Sequence, residues 1–178
     1  MTQEIILTAM LLLVPAEAHR PHGESVDDAK GRYGVVATAV GDEAKSGVQL
    51  VSFLLAVARH ESDFRKSVHS GKVKGDRGWS HSLWQLRCGP RPTSRCPRTK
   101  YIVRDIVGVD LAATRRGANA AAGHLRRAVK ACQGRAECVF KYYGGVSKTT
   151  NLKVQGRIDA RVKTYRRLRA FFASRATR

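Results

Sequence analysis

The feature that most constrains this chain is an acid at the end of an apolar run. Residues 51 to 58 read Val-Ser-Phe-Leu-Leu-Ala-Val-Ala and predict the core of a helix. Leu54, Val57 and Ala58 stand seven, four and three residues before Glu61, so the four share one helical face. That face packs inward, and Glu61 becomes a carboxyl on the buried side of a helix end. A buried acid is costly unless it is neutral or paired. Desolvation raises its pKa, which suits a general acid working near neutral pH. On its own such a carboxyl reads as structural, paired with Arg59 or Arg65. Asp63 is too near Glu61 in sequence and faces solvent. Beyond a polar interval come Gly75, Gly78 and then Ser82-Leu83-Trp84-Gln85-Leu86, which predict a turn or small hairpin leading into an amphipathic element.

Upstream, Ile5 to Val14 is mostly apolar and Ala16-Glu17-Ala18 has the shape of a signal-peptidase site. The flank before it carries an acid and no Lys or Arg, and the run is too short to span a bilayer as a helix. Residues 1–24 are therefore read as a first helix ended at Pro15 and packed on the core, with a cleaved signal as the alternative, and residues 25–178 as the main domain. No other stretch is a transmembrane candidate. His19 to Asp28 reads as a loop, with Ser25 or Asp27 capping the next helix. Tyr33, Val36 and Val40 have helical spacing up to a break around Gly41 to Gly47. Gly71 to Gly78 reads as a basic loop, and so does Cys88 to Lys100 with its three prolines. Leu111 to Ala131 predicts a long alanine-rich helix with Asp110 as N-cap. Arg157 to Ser174 predicts a cationic terminal helix with Ile158, Val162, Tyr165, Leu168 and Phe172 on one face. The expected class is α+β, mostly α-helical with a small β-hairpin.

Glu61-Ser62-Asp63-Phe64 followed by Ser82-Leu83-Trp84-Gln85-Leu86 resembles the Glu-Ser-x-Phe and Gly-Leu-Met-Gln-Leu pair of the soluble lytic transglycosylase and goose-type lysozyme superfamily. Lys141-Tyr142-Tyr143-Gly144-Gly145 is similar to that family's Ala-Tyr-Asn-Ala-Gly. The likeness covers about residues 50 to 145. Ser82 stands where the family has Gly, Tyr143 where it has Asn, and Trp84 where it has Met, so Trp84 reads as mainly packing. The resemblance implies a lysozyme-like fold and cleavage of the peptidoglycan glycan strand, by transglycosylation or hydrolysis. It implies Glu61 as the acid and base, with Ser82, Gln85, Tyr142 and Tyr143 at substrate positions. Asp76, fifteen residues after Glu61, is the candidate second carboxylate, with a turn-forming Asp as its plainer reading. Trp79 is a candidate sugar-stacking face.

Charge sets the partners. The chain has 33 Lys and Arg against 14 Asp and Glu, a net charge of +19, and such a field attracts polyanions. The basic face of the terminal helix is either solvated or draws the protein to anionic cell-wall polymer or outer-leaflet lipid. Nucleic acid is the rival partner, through Arg115, Arg116, Arg126, Arg127, Arg166, Arg167 and Arg169. No recognition-helix or RNA-binding sheet signature accompanies them. A third reading is an inactive wall-binding protein. No motif implies a cofactor or a metal. His60-Glu61 lacks the second His of a zinc-protease motif, because Phe64 stands there. His60, His69, His81 and His124 read as surface or packing residues. Cys88, Cys96, Cys132 and Cys138 are spaced for two disulfides, 88–96 and 132–138, with free thiols or a zinc site as alternatives. Disulfides point to a periplasmic, extracellular or phage-associated protein, with a cytoplasmic stage before lysis as a further option.

Overall fold

Caps and left-handed residues set the helix boundaries in the computed structural model of the protein, which describes residues 1–146 and 151–176. Helix α1 (Gln3–Leu13) starts at Thr2, whose hydroxyl accepts from the Ile5 N–H, and stops before Pro15. Its Ile6, Ala9 and Met10 are buried. Residues Ala16–His22 then form a 3₁₀ helix closed by Gly23 at φ 74°, where the sequence suggested loop. The polar composition misled because His19 is buried, its Nε2 2.6 Å from the Tyr33 hydroxyl. Ser25 rather than Asp27 caps α2 (Val26–Asp42), accepting from the Asp28 N–H at 3.1 Å. A short 3₁₀ turn and Gly47, at φ 90°, separate α2 from α3 (Val48–Ser62).

Every residue of α3 from Leu50 to Ala58 is buried, so this helix is the centre of the molecule. A helix apolar all round is stable only when neighbours enclose it. The short α4 (Lys66–His69) follows, then strands β1 (Ser80–His81) and β2 (Leu86–Arg87). They pair antiparallel, Ser80 opposite Arg87 and His81 opposite Leu86. Residues 82–85 are thus the hairpin's own turn, not the start of an amphipathic element after it. The remaining helices are α5 (Val103–Ile106), α6 (Leu111–Ala131), α7 (Ala136–Tyr143) and α8 (Leu152–Ala176). Asp110 caps α6 as its spacing suggests, accepting from the Ala113 N–H at 2.9 Å. Helix α8 exceeds the expected span because Asn151 Oδ1 caps it, accepting from the N–H groups of Lys153 and Val154.

Helices α2, α6 and α8 pack on α3, and α1 lies against α2 and α8. Ile158, Val162, Tyr165, Leu168 and Phe172 are all buried, so the apolar stripe of α8 faces the core. Tyr165 stacks on Phe53 with ring centroids 4.2 Å apart, and Phe140 meets Phe53 edge-on at 5.3 Å. Disulfides join Cys88 to Cys96 and Cys132 to Cys138, the pairing that the spacing suggested. The first staples the proline loop after β2, and the second ties the end of α6 to α7. Among the described residues no helix is long and apolar enough to cross a membrane.

Two histidines, one buried and one half-buried, make stability depend on pH. His69 is 1% exposed, with Nε2 2.8 Å from the Thr114 hydroxyl, and burial followed by the charge of Arg32 holds its pKa down at about 3. His60 is held at about 4 by burial, then by Arg161 and Arg59. Both depressed values lie below the unfolded value of about 6.5, so the unfolded chain binds more protons in between. Their stabilising contribution is full above about pH 6.5 and is lost progressively as pH falls toward the folded values. The melting midpoint should fall between about pH 7 and about pH 4, and His69→Gln should flatten that fall. An unchanged slope in scanning calorimetry would refute this.

Candidate active site

Glu61 is presented by a helix end that three neighbouring residues lock. Ser62 Oγ donates to the Ala58 carbonyl at 2.7 Å and accepts from the Phe64 N–H at 3.2 Å. Asp63 and Phe64 then take left-handed φ values of 52° and 53°, turning the chain sharply. Phe64 is fully buried, edge-on to Tyr33 at 5.5 Å, and its carbonyl accepts from Arg32 Nη1. Arg32 is gripped in turn by both oxygens of Glu24, at 2.8 and 2.6 Å, with both side chains almost wholly buried. Breaking such a pair strands a charge in the interior, so Arg32 is a firm anchor for the turn.

Glu61 opens onto a cleft of about 780 Å³ bounded by the hairpin, the proline loop, α6, α7 and α8. Its partner is Arg161 of α8, whose Nη2 donates to Oε1 at 2.6 Å, with the two side chains 18% and 23% exposed. Neither Arg59 nor Arg65 fills that place. Arg59 pairs with Asp63, which is half exposed, and Arg65 Nε donates to the Ser62 carbonyl at 3.1 Å. Helical periodicity cannot name Arg161, because the pairing depends on how α8 is laid across α3. Burial pushes the Glu61 carboxyl up most, Arg161 opposes through charge and hydrogen bond, and Asp76 adds to the rise, leaving the pKa above its ordinary value. Asp76 lines the same cleft from a left-handed φ of 48°, and its Oδ2 accepts from Ser80 Oγ at 2.8 Å.

Gln85, Tyr142 and Tyr143 line this cleft with Glu61 and Asp76, whereas Ser82 does not. Ser82 is buried in the hairpin turn at φ 65°, a value that glycine adopts most easily. Its carbonyl accepts from the Gln85 N–H at 3.1 Å and from Gln85 Nε2 at 3.0 Å, so Ser82 aims the glutamine rather than meeting a ligand. The Tyr143 hydroxyl donates to the Trp84 carbonyl at 2.8 Å, and burial followed by the charge of Glu61 holds this phenol above its usual range. Tyr142 is the more exposed of the pair and lies beside His124, with ring centroids 5.9 Å apart. Trp84 is core, its Nε1 donating to the Leu54 carbonyl at 3.1 Å. Trp79 is 47% exposed, outside the cleft, with Arg87 over its ring.

Sequence reasoning missed two groups in the cleft. His124 of α6 meets Tyr143 edge-on at 5.0 Å, and burial followed by Arg127 and Arg98 lowers its pKa. Arg157 and Arg161 project from α8 into the cleft, and Arg87 and Arg98 line it from the hairpin and the proline loop. The helical pitch of α8 held a cue, since 157 and 161 fall one turn apart on the flank of the apolar stripe. Among the described residues no group of His, Cys, Asp and Glu is placed to hold a metal ion. Comparison of the chain with protein-family models, curated proteins and solved structures gives no match.

The approach of Gln85 to Gly75 is testable. A Cβ added at Gly75 would overlap Gln85 Oε1 and lie 3.2 Å from Ser80 Cβ. Gly75→Ala is expected to lower stability by about 1 kcal/mol, the low end of the cost of overpacking, because the overlapped atom is the end of a side chain that can turn into the cleft. Adding Gln85→Ala should recover most of that loss, which a denaturant double-mutant cycle would read. An additive pair of effects would place the strain elsewhere.

Proposed function

We propose that this protein is a lysozyme-like glycosidase that cuts the β-1,4 bond between N-acetylmuramic acid and N-acetylglucosamine in peptidoglycan, as a lytic transglycosylase. The observation that carries this reading is Glu61: a partly buried carboxyl with an elevated pKa, in a cleft it shares with Asp76, Gln85 and two tyrosines. The order of the motifs and the mostly helical fold with one hairpin support it.

In the reaction, protonated Glu61 donates to the bridging oxygen as the bond from muramic C1 to that oxygen breaks, the bonding pair leaving with the oxygen. The muramic 2-acetamido oxygen stabilises the oxocarbenium-like C1. Glu61, now a carboxylate, takes a proton from the sugar's own 6-hydroxyl, which closes the 1,6-anhydro ring. If water takes the place of that hydroxyl, the product is a reducing end. Gln85 offers an amide to sugar hydroxyl or acetamido groups, and Tyr142 a face at the cleft wall. Asp76 raises the pKa of the acid through like charge.

A nucleic-acid role draws less support. Of the arginines offered for phosphate contacts, Arg115 pairs with Asp42, Arg126 with Glu43, and Arg116 donates to the Asp105 carbonyl. The two disulfides fit an oxidising compartment such as the periplasm or the cell exterior.

Digestion of purified peptidoglycan with mass spectrometry tests the reading. The expected products end in 1,6-anhydro-muramic acid, and Glu61→Gln should reduce them at least about 100-fold. No product from folded protein on several wall types would overturn it. The pH profile gives a second check. Activity needs the protonated acid, so it should fall on the alkaline side as Glu61 ionises. Asp76→Asn removes a like charge that lifts the Glu61 pKa, so the alkaline limb should move to lower pH.

A further inference from the structure

Two cations of the terminal helix stand at the acid, and among the described residues only one makes an ion pair. Arg161 meets Glu61 through one guanidinium nitrogen, Nη2, although the group is a fork built to hold two oxygens. Arg157, one turn earlier on the same helix, faces the same cleft and acts electrostatically on Glu61. Among the described residues Arg157 makes no ion pair. Arg87 and Arg98 line the cleft too, so its walls carry four arginines against the two carboxylates of Glu61 and Asp76. A cleft with this surplus favours an anionic ligand over a neutral one of the same shape.

The pairing of Arg161 with Glu61 also conflicts with general-acid chemistry. A guanidinium in contact with a carboxyl favours its ionised form. An acceptor that drew Arg161 off Glu61 would remove the opposing charge and let the carboxyl hold its proton to higher pH. Among the described residues the other groups facing Glu61 give Arg161 no second ion pair. Tyr143 is a neutral phenol already bonded to the Trp84 carbonyl, His60 is neutral and bonded to Thr164, and His124 on α6 is neutral near pH 7. Asp76 accepts from Ser80 through Oδ2 and makes no ion pair with Arg161 among the described residues. A ligand carboxylate would supply an acceptor suited to the guanidinium fork.

We infer that Arg157 and Arg161 form a carboxylate subsite beside Glu61, filled by a carboxylate on the lactyl arm of muramic acid, and that its occupation draws Arg161 off Glu61. The identity of the sugar rests on the glycosidase reading; the anion preference rests on the arginines. The carboxylate is either the lactyl group's own, in peptide-free strands, or that of the peptide attached to it. Neutral strands of N-acetylglucosamine lack both. Arg161 is thus a positioning residue that ties protonation of the acid to capture of the anionic sugar.

The test follows the Glu61 carboxyl carbon by NMR in protein labelled at glutamate, against pH, with saturating N-acetylmuramic acid, N-acetylmuramyl dipeptide or N-acetylglucosamine. The two muramyl ligands separate the lactyl from the peptide carboxylate. At least one of them should move the Glu61 midpoint to higher pH, and N-acetylglucosamine should leave it in place. Arg157→Gln, at an exposed position, should weaken the effective muramyl ligand about tenfold and leave N-acetylglucosamine binding unchanged. Arg161→Met keeps the apolar stem; it should raise the midpoint without ligand and abolish the further shift. Equal binding of all three sugars, or a midpoint that no muramyl ligand moves, would overturn the inference. If a muramyl ligand shifts Glu61 while no strand is cut, the subsite stands and the glycosidase reading falls. If strands are cut while the sugars bind alike, that reading stands and the subsite falls.

Discussion

Glu61 and Arg161 are a hundred positions apart in sequence and 2.6 Å apart in space. A carboxyl at the end of an enclosed helix needs a partner or a proton, and the partner is supplied by a different helix. That demand fixes how α8 lies. Its Ile158, Val162 and Tyr165 enter the core, with Tyr165 stacked on Phe53 of α3. Arg161 then falls at the edge of the buried stripe, where its stem covers apolar surface and its guanidinium reaches the cleft. Removing either charge leaves the other partly desolvated and alone, which costs more than the intact pair contributes.

The same helix end is held from the opposite side by the amino-terminal third of the chain. The Glu24–Arg32 pair is nearly inaccessible, and it bonds the Phe64 carbonyl just beyond the turn at Asp63. Left-handed conformations at two consecutive non-glycine residues are strained and persist only where surrounding contacts over-determine them. Tyr33 on Phe64 and Arg32 on the Phe64 carbonyl are those contacts. Mechanical support runs from α2 through Phe64 to Glu61, and the packing of Trp84 under α3 brings the hairpin to the same place.

Periodicity and caps were legible, and partners across the fold were not. Leu54, Val57 and Ala58 place Glu61 on the inward face by spacing alone, and the five apolar residues of α8 are all buried as their spacing requires. Asp110 and the two short cysteine loops are local features and were readable for that reason. The 3₁₀ helix over Ala16–His22 was hidden because its polar residues find buried partners only once α2 is in place. Ser82 looked like a ligand residue because the motif carries a functional history, whereas its φ of 65° gives that position a backbone role. His124 carries no local mark, and Arg161 only its place on the flank of the apolar stripe of α8. An arginine among many and a histidine in an alanine-rich helix acquire meaning only when tertiary packing turns them into one cleft.

A cation beside a proton donor has opposite effects at two points of the proposed reaction. Before transfer it favours the carboxylate and depletes the reactive acid. Once the proton has moved, the same contact stabilises the Glu61 anion that forms, and a contact stronger in the transition state than in the ground state is what accelerates a step. The net effect therefore depends on when Arg161 is close. A fixed pair would hold the Glu61 pKa below what burial and Asp76 alone would set; an absent one would leave the carboxylate formed by proton transfer without a counter-charge. An arginine that can exchange Glu61 for a ligand carboxylate avoids both extremes. Its long stem and its place at the cleft edge, 18% exposed rather than sealed, leave room for that exchange, whereas the Arg32 pair with Glu24 is almost wholly buried. The Arg32–Glu24 and Arg161–Glu61 pairs are alike in chemistry and differ in solvent access, and access decides which of them anchors the fold and which can let go.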